Sequence, residues 1–145
     1  MRSGWRIVDG GSNGEVLRGT RMACRYVNVE FVGVMLALLG EDGWRTDAAA
    51  LAAHAQDNSW RHALPTGVAL PTTREQVVAI VQACRAHAVP IVARGAGTGT
   101  TGAAVPVTGS IVLSLARMNR ILEIQPGNHC AVGNQACSTA TCSTR

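Results

Sequence analysis

The sequence predicts an α+β fold: a small βαβ parallel-sheet lobe followed by the start of an antiparallel lobe. Three observations carry this. Short apolar runs at 68–70 and 91–93 flank a segment of helical periodicity. A third run, 111–115, is apolar almost throughout, as a strand buried on both faces requires. Two further runs, 121–124 and 129–132, flank Gln125-Pro126-Gly127-Asn128 and read as a hairpin.

Residues 1–30 hold no helical or strand period; Gly10, Gly11 and Gly14 interrupt them. They read as a poorly ordered or non-native extension. Residues 31–56 form a helical N-terminal segment. Val34, Met35, Leu38 and Leu39 make one face of a short helix that Gly40 stops. Asp47 caps a second helix over 48–55, favoured by its alanines. His54 reads as a surface residue or a helix-end ligand of the backbone rather than a catalyst.

Residues 57–132 carry most of the order. The run at 68–70 ends at Pro71, which is tolerated at a strand end. Thr72 with Glu75, or Thr73 with Gln76, forms a reciprocal capping box. Val77, Ile80, Val81, Cys84 and Ala88 then share one helix face, with Cys84 as a small core residue. Pro90 disfavours helical geometry at Val89, so the helix ends around His87. Strand, helix and strand make one βαβ unit with a right-handed crossover. Proline followed by glycine at 126–127 is the type II turn pattern, and a second subregion begins near residue 120. From 133 to 145 no large apolar side chain occurs, giving an irregular tail. A reading-frame disruption after Val132 would account for its sudden Cys, Ser and Thr composition.

Composition narrows the function classes. Hydrophobic residues make up 47% of the 145 positions and charged ones 15%, which excludes a disordered tail. The 13 basic residues are all arginine and are scattered, so no nucleic-acid surface is expected. Without lysine, a Walker phosphate loop, a Schiff base and a lysine base are all excluded. The five cysteines, Cys24, Cys84, Cys130, Cys137 and Cys142, contain no CxxC and suggest neither a disulfide framework nor a metal site. The longest apolar run, 31–39, is nine residues, against the roughly 20 a spanning helix needs. No transmembrane segment is expected; a cytoplasmic location is the default, with peripheral membrane attachment left open.

The informative stretch lies between the second and third strands. Gly95, Gly97, Gly99 and Gly102 place four glycines in eight positions, a density that costs backbone entropy and that a plain connection does not need. Successive amides in such turns converge on an anion as a nest for phosphate oxygens. Thr98, Thr100 and Thr101 add hydroxyl donors, and Arg94 can add guanidinium donors. No acidic residue lies between Glu75 and Glu123. The segment from Gly97 to Gly102 matches GxGxxG literally, but the strand at 111–115 follows too soon for the helix that a Rossmann site requires. The pattern therefore reads as a diphosphate held by loop amides.

These residues resemble the N-terminal part of the FAD-binding PCMH-type domain of the vanillyl-alcohol-oxidase superfamily, closest to its glycolate oxidase D-subunit and D-lactate dehydrogenase branch. The resemblance rests on Ala69-Leu70-Pro71, on Thr73-Arg74-Glu75-Gln76-Val77, and on Val89-Pro90-Ile91-Val92-Ala93-Arg94-Gly95-Ala96-Gly97-Thr98-Gly99. It continues through Thr101-Gly102-Ala103-Ala104-Val105-Pro106 and Leu115-Ala116-Arg117-Met118-Asn119-Arg120-Ile121-Leu122-Glu123-Ile124. It implies FAD contacts from Arg94, Gly95, Ala96, Gly97, Thr98, Gly99, Thr100, Thr101 and Gly102, with Pro71 shaping the adjacent strand end. Where relatives often carry a further glycine after the one matching Gly102, Ala103 stands here. With no histidine or cysteine in the loop, the noncovalent FAD mode of this branch is implied.

Complete relatives oxidise a 2-hydroxy acid, passing hydride to the flavin. By this resemblance the chain is the flavin-binding portion of such an oxidoreductase. It lacks the second FAD lobe and the substrate domain, so the isolated chain is expected to be inactive. No residue is nominated as catalytic, since His54, His62, His87 and His129 have no acid or base partner in sequence. Two alternatives stand beside it. One is a split FAD-binding subunit completed by a complementing fragment or partner subunit; the other is a small nucleotide- or anion-binding module.

Overall fold

The computed structural model describes residues 27–134. The extension expected over 1–30 falls outside them up to residue 26, as does the tail from 135 on, with Cys24, Cys137 and Cys142. In chain order the elements are α1 (Val29–Gly43), β1 (Trp44–Arg45), α2 (Ala48–Ala53), β2 (Gly67–Ala69), α3 (Arg74–Ala86), β3 (Ile91–Arg94), β4 (Ile111–Ser114), β5 (Ile121–Gln125) and β6 (Cys130–Gly133). The fold is α+β, with β1-β2-β4-β3 in one sheet and β5-β6 in a second.

The Asn28 side chain caps α1 by accepting from the Phe31 N–H at 2.8 Å. The helix buries Phe31 and Met35, one turn apart, while Val34, Leu38 and Leu39 are only half-buried. Gly40, expected to stop the helix, instead kinks it with φ 68°, and one more turn follows to Gly43. That turn delivers Trp44 into β1, antiparallel to β2 with Trp44 opposite Ala69. The two-residue strand is too short to show a period, which is why the sequence pattern misses it.

Asp47 caps α2 through the Ala50 N–H at 3.0 Å, as expected, but the helix ends at Ala53. His54 Nδ1 lies 2.9 Å from the Ala50 carbonyl oxygen, satisfying the end of the helix. Of the two capping boxes open in the sequence, α3 uses Thr73 with Gln76, both halves of which are formed. His87 is the C-cap and Ala88 takes φ 53°, the last step before Pro90. On the expected apolar face Ile80 and Cys84 are buried, whereas Val81 turns outward.

Strands β2, β4 and β3 are parallel, and β4 lies between the two strands that α3 connects. All four residues of β4 are buried, in keeping with a central strand. Phe31, Met35 and Trp44 join Ala69, Ile80, Cys84, Val89, Ile111 and Leu113 in a single core. The Phe31 ring meets Trp44 edge-on, with centroids 6.1 Å apart.

β5 and β6 form the expected antiparallel hairpin. Its connection differs from the type II turn that Pro126-Gly127 suggests. Pro126–Asn128 is one turn of 3-10 helix, and the left-handed residue is His129, with φ 50°. Histidine is among the side chains that tolerate this region best, so the turn needs no positive φ at the glycine.

Because the three central strands are parallel, their C-terminal ends share one edge of the sheet. Pro71, Gly95 and Leu115 all follow strands at that edge. In open α/β sheets ligands bind outside the carboxyl ends of the strands. The segment 95–110 must also travel back along β3, about 13 Å, before β4 can begin beside it.

Candidate FAD site

Of the residues proposed from the sequence, Pro71, Arg94 and Gly95 fall at this edge, and Ala96 to Gly102 continue from it as a loop. Pro71 is buried two residues beyond β2, and Arg94 is the last residue of β3. Residues 95–102 leave β3 as a loop with bends at 95–96 and 100–102 rather than as an extended strand. Thr98, Thr100 and Thr101 are exposed, so their hydroxyls face solvent, while Gly97 and Gly102 are half-covered.

Gly97 and Gly102 give the loop its curvature. Their φ values are 73° and 84°, a region that costs an L side chain roughly 1–2 kcal/mol. A side chain at Gly97 would also run into the Arg94 guanidinium. At Gly102 a Cβ would meet Arg61 Cδ at 3.1 Å and Ser59 Oγ at 3.3 Å. Close backbone approach is thus built in at both positions.

Among the described residues, no backbone N–H from 95 to 104 donates a well-formed hydrogen bond to a protein acceptor; the first that does is Val105, to Gly102 O at 3.2 Å. Three of the loop carbonyls, by contrast, are engaged: Gly99 O accepts from the Asn58 N–H at 3.0 Å, Thr98 O from Asn58 Nδ2 at 3.4 Å, and Gly102 O from the Val105 N–H. With these three acceptors engaged and the donors from 95 to 101 free, the loop suits an anionic ligand rich in acceptor oxygens. The diphosphate of FAD is such a ligand, and the residues fit it.

Arg94 is less free than its sequence position suggests. Its Nη1 donates to the Gln56 carbonyl oxygen at 2.6 Å, so one of the five guanidinium donors is already used. Arg94 therefore braces the loop against the segment before it, with the other donors left for a ligand.

Sequence reasoning missed Asp57. No acid is near the loop in the chain, yet the fold brings this one beneath it: Asp57 Oδ2 would lie 4.0 Å from a Cβ on Gly99. Asp57 is 9% exposed, and its Oδ1 accepts from the Ser59 N–H at 2.9 Å. Oδ2 is closed off from solvent without a partner at full hydrogen-bonding geometry. The Ser59 hydroxyl, then the N–H groups of Ser59, Ala104 and Gly102, hold the Asp57 carboxyl below the usual aspartate value, against the desolvation that raises it. An Asp-x-Ser turn signal at 57–59 was visible in the sequence, but the approach of Asp57 to Gly99, Gly102 and Ala104 was not. Beside it, Gln56, Asp57, Asn58 and Trp60 line a cleft of about 320 Å³.

A family model described as "FAD binding domain" matches residues 65–137. Glycolate oxidase subunit GlcD of Escherichia coli is 47% identical over 62 residues, covering 43% of this chain and 12% of that protein. D-2-hydroxyglutarate dehydrogenase of Stutzerimonas stutzeri is 38% identical over 96 residues, 66% of this chain and 21% of that one. The chain thus spans about a fifth or less of the curated relatives it matches. The crystal structure of p-cresol methylhydroxylase with substrate bound superposes with a TM-score of 0.69 at 28% identity, over 79% of this chain and 23% of that one. Among the described residues no helix is long and apolar enough to cross a membrane. The chain belongs to the FAD-binding PCMH-type domain family, related to the glycolate oxidase and D-lactate dehydrogenase branch.

Proposed function

We propose that residues 95–102 hold the diphosphate of FAD noncovalently, and that the protein built on this portion oxidises a 2-hydroxy acid. The observation that carries the reading is the run of amides between 95 and 101 with no protein acceptor, turned by the left-handed Gly97 and Gly102 at either side. When bound, FAD supplies a hydride acceptor. This chain's own share is to bind and orient: the loop amides meet the phosphates, Arg94 braces the loop, and Pro71 shapes the neighbouring strand exit. The names of the bacterial relatives, glycolate oxidase and D-2-hydroxyglutarate dehydrogenase, support the substrate class. Oxidation also needs a substrate held at contact distance from the flavin, and no residue of this chain is assigned that task.

The hairpin favours completion by a further portion of the flavoprotein, whether in the same polypeptide or in a complementing subunit. Leu122 is 60% exposed, Ile124 44% and Val132 43%, and among the described residues β5 pairs only with β6. A two-stranded hairpin is marginal in water without a covering element.

Titration of the full chain with FAD, followed by flavin absorbance and fluorescence, tests the reading. We expect one FAD per chain, bound more tightly when a complementing fragment of a relative is present. Absence of binding in both settings would overturn it.

A further inference from the structure

The segment before β2 wraps the glycine loop from below. Asn58 bonds the Gly99 carbonyl through its backbone, Gln56 takes the Arg94 guanidinium, and Arg61 covers Gly102. At the centre lies Asp57, a carboxylate whose Oδ2 is buried without a partner at full hydrogen-bonding geometry and lies 4.0 Å from where a Cβ on Gly99 would be, facing the loop. A buried carboxylate beside a polyphosphate site is unexpected on charge grounds alone, since like charges repel. Its local partners explain why it is tolerated. Oδ1 closes the turn on the Ser59 N–H, and the amides of Gly102 and Ala104 face the carboxylate from the loop side.

We infer that Asp57 is a positioning residue for FAD: its carboxylate gathers the amides at the far end of the loop, fixing the curvature that leaves the amides nearer β3 turned to the diphosphate. This rests on the reading that the loop binds FAD. An acceptor here is needed because the loop has no helix or strand to order it, and its donors find no other protein partner. Replacing one carboxylate oxygen with an amide NH₂ keeps the shape but sets a donor against donors. Asp57→Asn should therefore loosen the loop even though it removes a negative charge near the phosphates.

The test uses the full chain. Titration with FAD and with ADP, which carries the diphosphate without the flavin, is compared for wild type, Asp57→Asn and Asp57→Ser. The serine variant keeps a short acceptor for the Ser59 turn while withdrawing the reach to the loop. We expect about a tenfold weaker affinity for both ligands, the scale of one charge-assisted hydrogen bond. In the ligand-free protein, hydrogen exchange at Gly102 and Ala104 should quicken in both variants while α3 exchanges as in wild type. Unchanged or tighter binding by a folded variant would overturn the inference, because repulsion would then outweigh positioning. If wild type itself binds no FAD, the preceding reading fails, and unchanged loop exchange would sink the role of Asp57 separately. Should Asp57→Asn fail to fold, Asp57→Ser carries the same comparison.

Discussion

Arg94 and Gly97 form one unit: the guanidinium lies over the glycine Cα while its Nη1 reaches the Gln56 carbonyl oxygen at 2.6 Å. A side chain at Gly97 must adopt φ near 73° and displace the guanidinium from that position. Gly97→Val therefore suffers twice, and a β-branched residue is the least tolerant of positive φ. We expect FAD affinity to fall about tenfold or more, from a backbone cost of roughly 1–2 kcal/mol. Thr108→Val, on the exposed part of the same loop, should change it less than twofold. Equal affinities for two folded variants, measured by titration, would remove Gly97 from the site.

Trp44 and Gly67 are coupled in the core. The end of the indole lies where a Cβ on Gly67 would be, and the ring cannot swing away because Phe31 packs edge-on against it. Gly67→Ala should destabilise the chain by about 1–3 kcal/mol through overpacking. Thermal unfolding reads this as a lowered Tm. Trp44→Leu in the same background should recover part of the loss, because it opens the space the methyl needs. An unchanged Tm for Gly67→Ala would show that the strand shifts freely.

How much of this could be read in advance depends on the range of the interactions. The capping residue Asp47, the core position of Cys84 and the exit of α3 at His87 are local, and each was legible; the sequence narrows the cap of α3 to Thr72 or Thr73, and the fold uses Thr73. The glycine loop was legible because so many glycines have no cheaper explanation. The position of β4 between β2 and β3 is a tertiary choice among strands of similar composition, so no local pattern reveals it. Asp57 was hidden for the same reason: its partners lie across the fold, at Gly102 and Ala104. At His129, both Pro126-Gly127 geometries satisfy the local rules, and only the pairing of β5 with β6 selects one.

Cys84 and Cys130 should differ sharply in reactivity. Cys84 is 1% exposed, and burial pushes its thiol up to about 11, whereas Cys130 is exposed on β6. The thiolate is the nucleophile, so at pH 8 only about one Cys84 in a thousand is reactive even before access is considered. Iodoacetamide labelling followed by peptide mapping should modify Cys130 at least a hundredfold faster. In denaturant the two rates should converge. Rapid labelling of Cys84 in the folded chain would contradict its place on the buried face of α3.

Acid should weaken the fold, and the sign follows from three carboxyls. The pKa values of Asp47, Asp57 and Glu75 are all lowered: by the Arg45 hydrogen bond at Asp47, by the Ser59 hydroxyl at Asp57, and by its own backbone N–H at Glu75. A carboxyl with a depressed folded value contributes its full stability above its unfolded value, near 3.8 for Asp and 4.5 for Glu, and loses it as pH falls through the folded value. From these groups Tm should be flat between about pH 7 and pH 5 and should decline below about pH 4. Asp47→Asn separates charge from capping, because asparagine caps a helix about as well as aspartate. It should leave Tm nearly unchanged at low pH, where wild-type Asp47 is already protonated, and lower it slightly at pH 7, where the 2.6 Å pair with Arg45 is lost. The pair is exposed, so the difference at pH 7 should shrink further in high salt. A Tm that rises on acidification below pH 4, or a variant whose deficit is constant with pH, would contradict the assignment of these shifts.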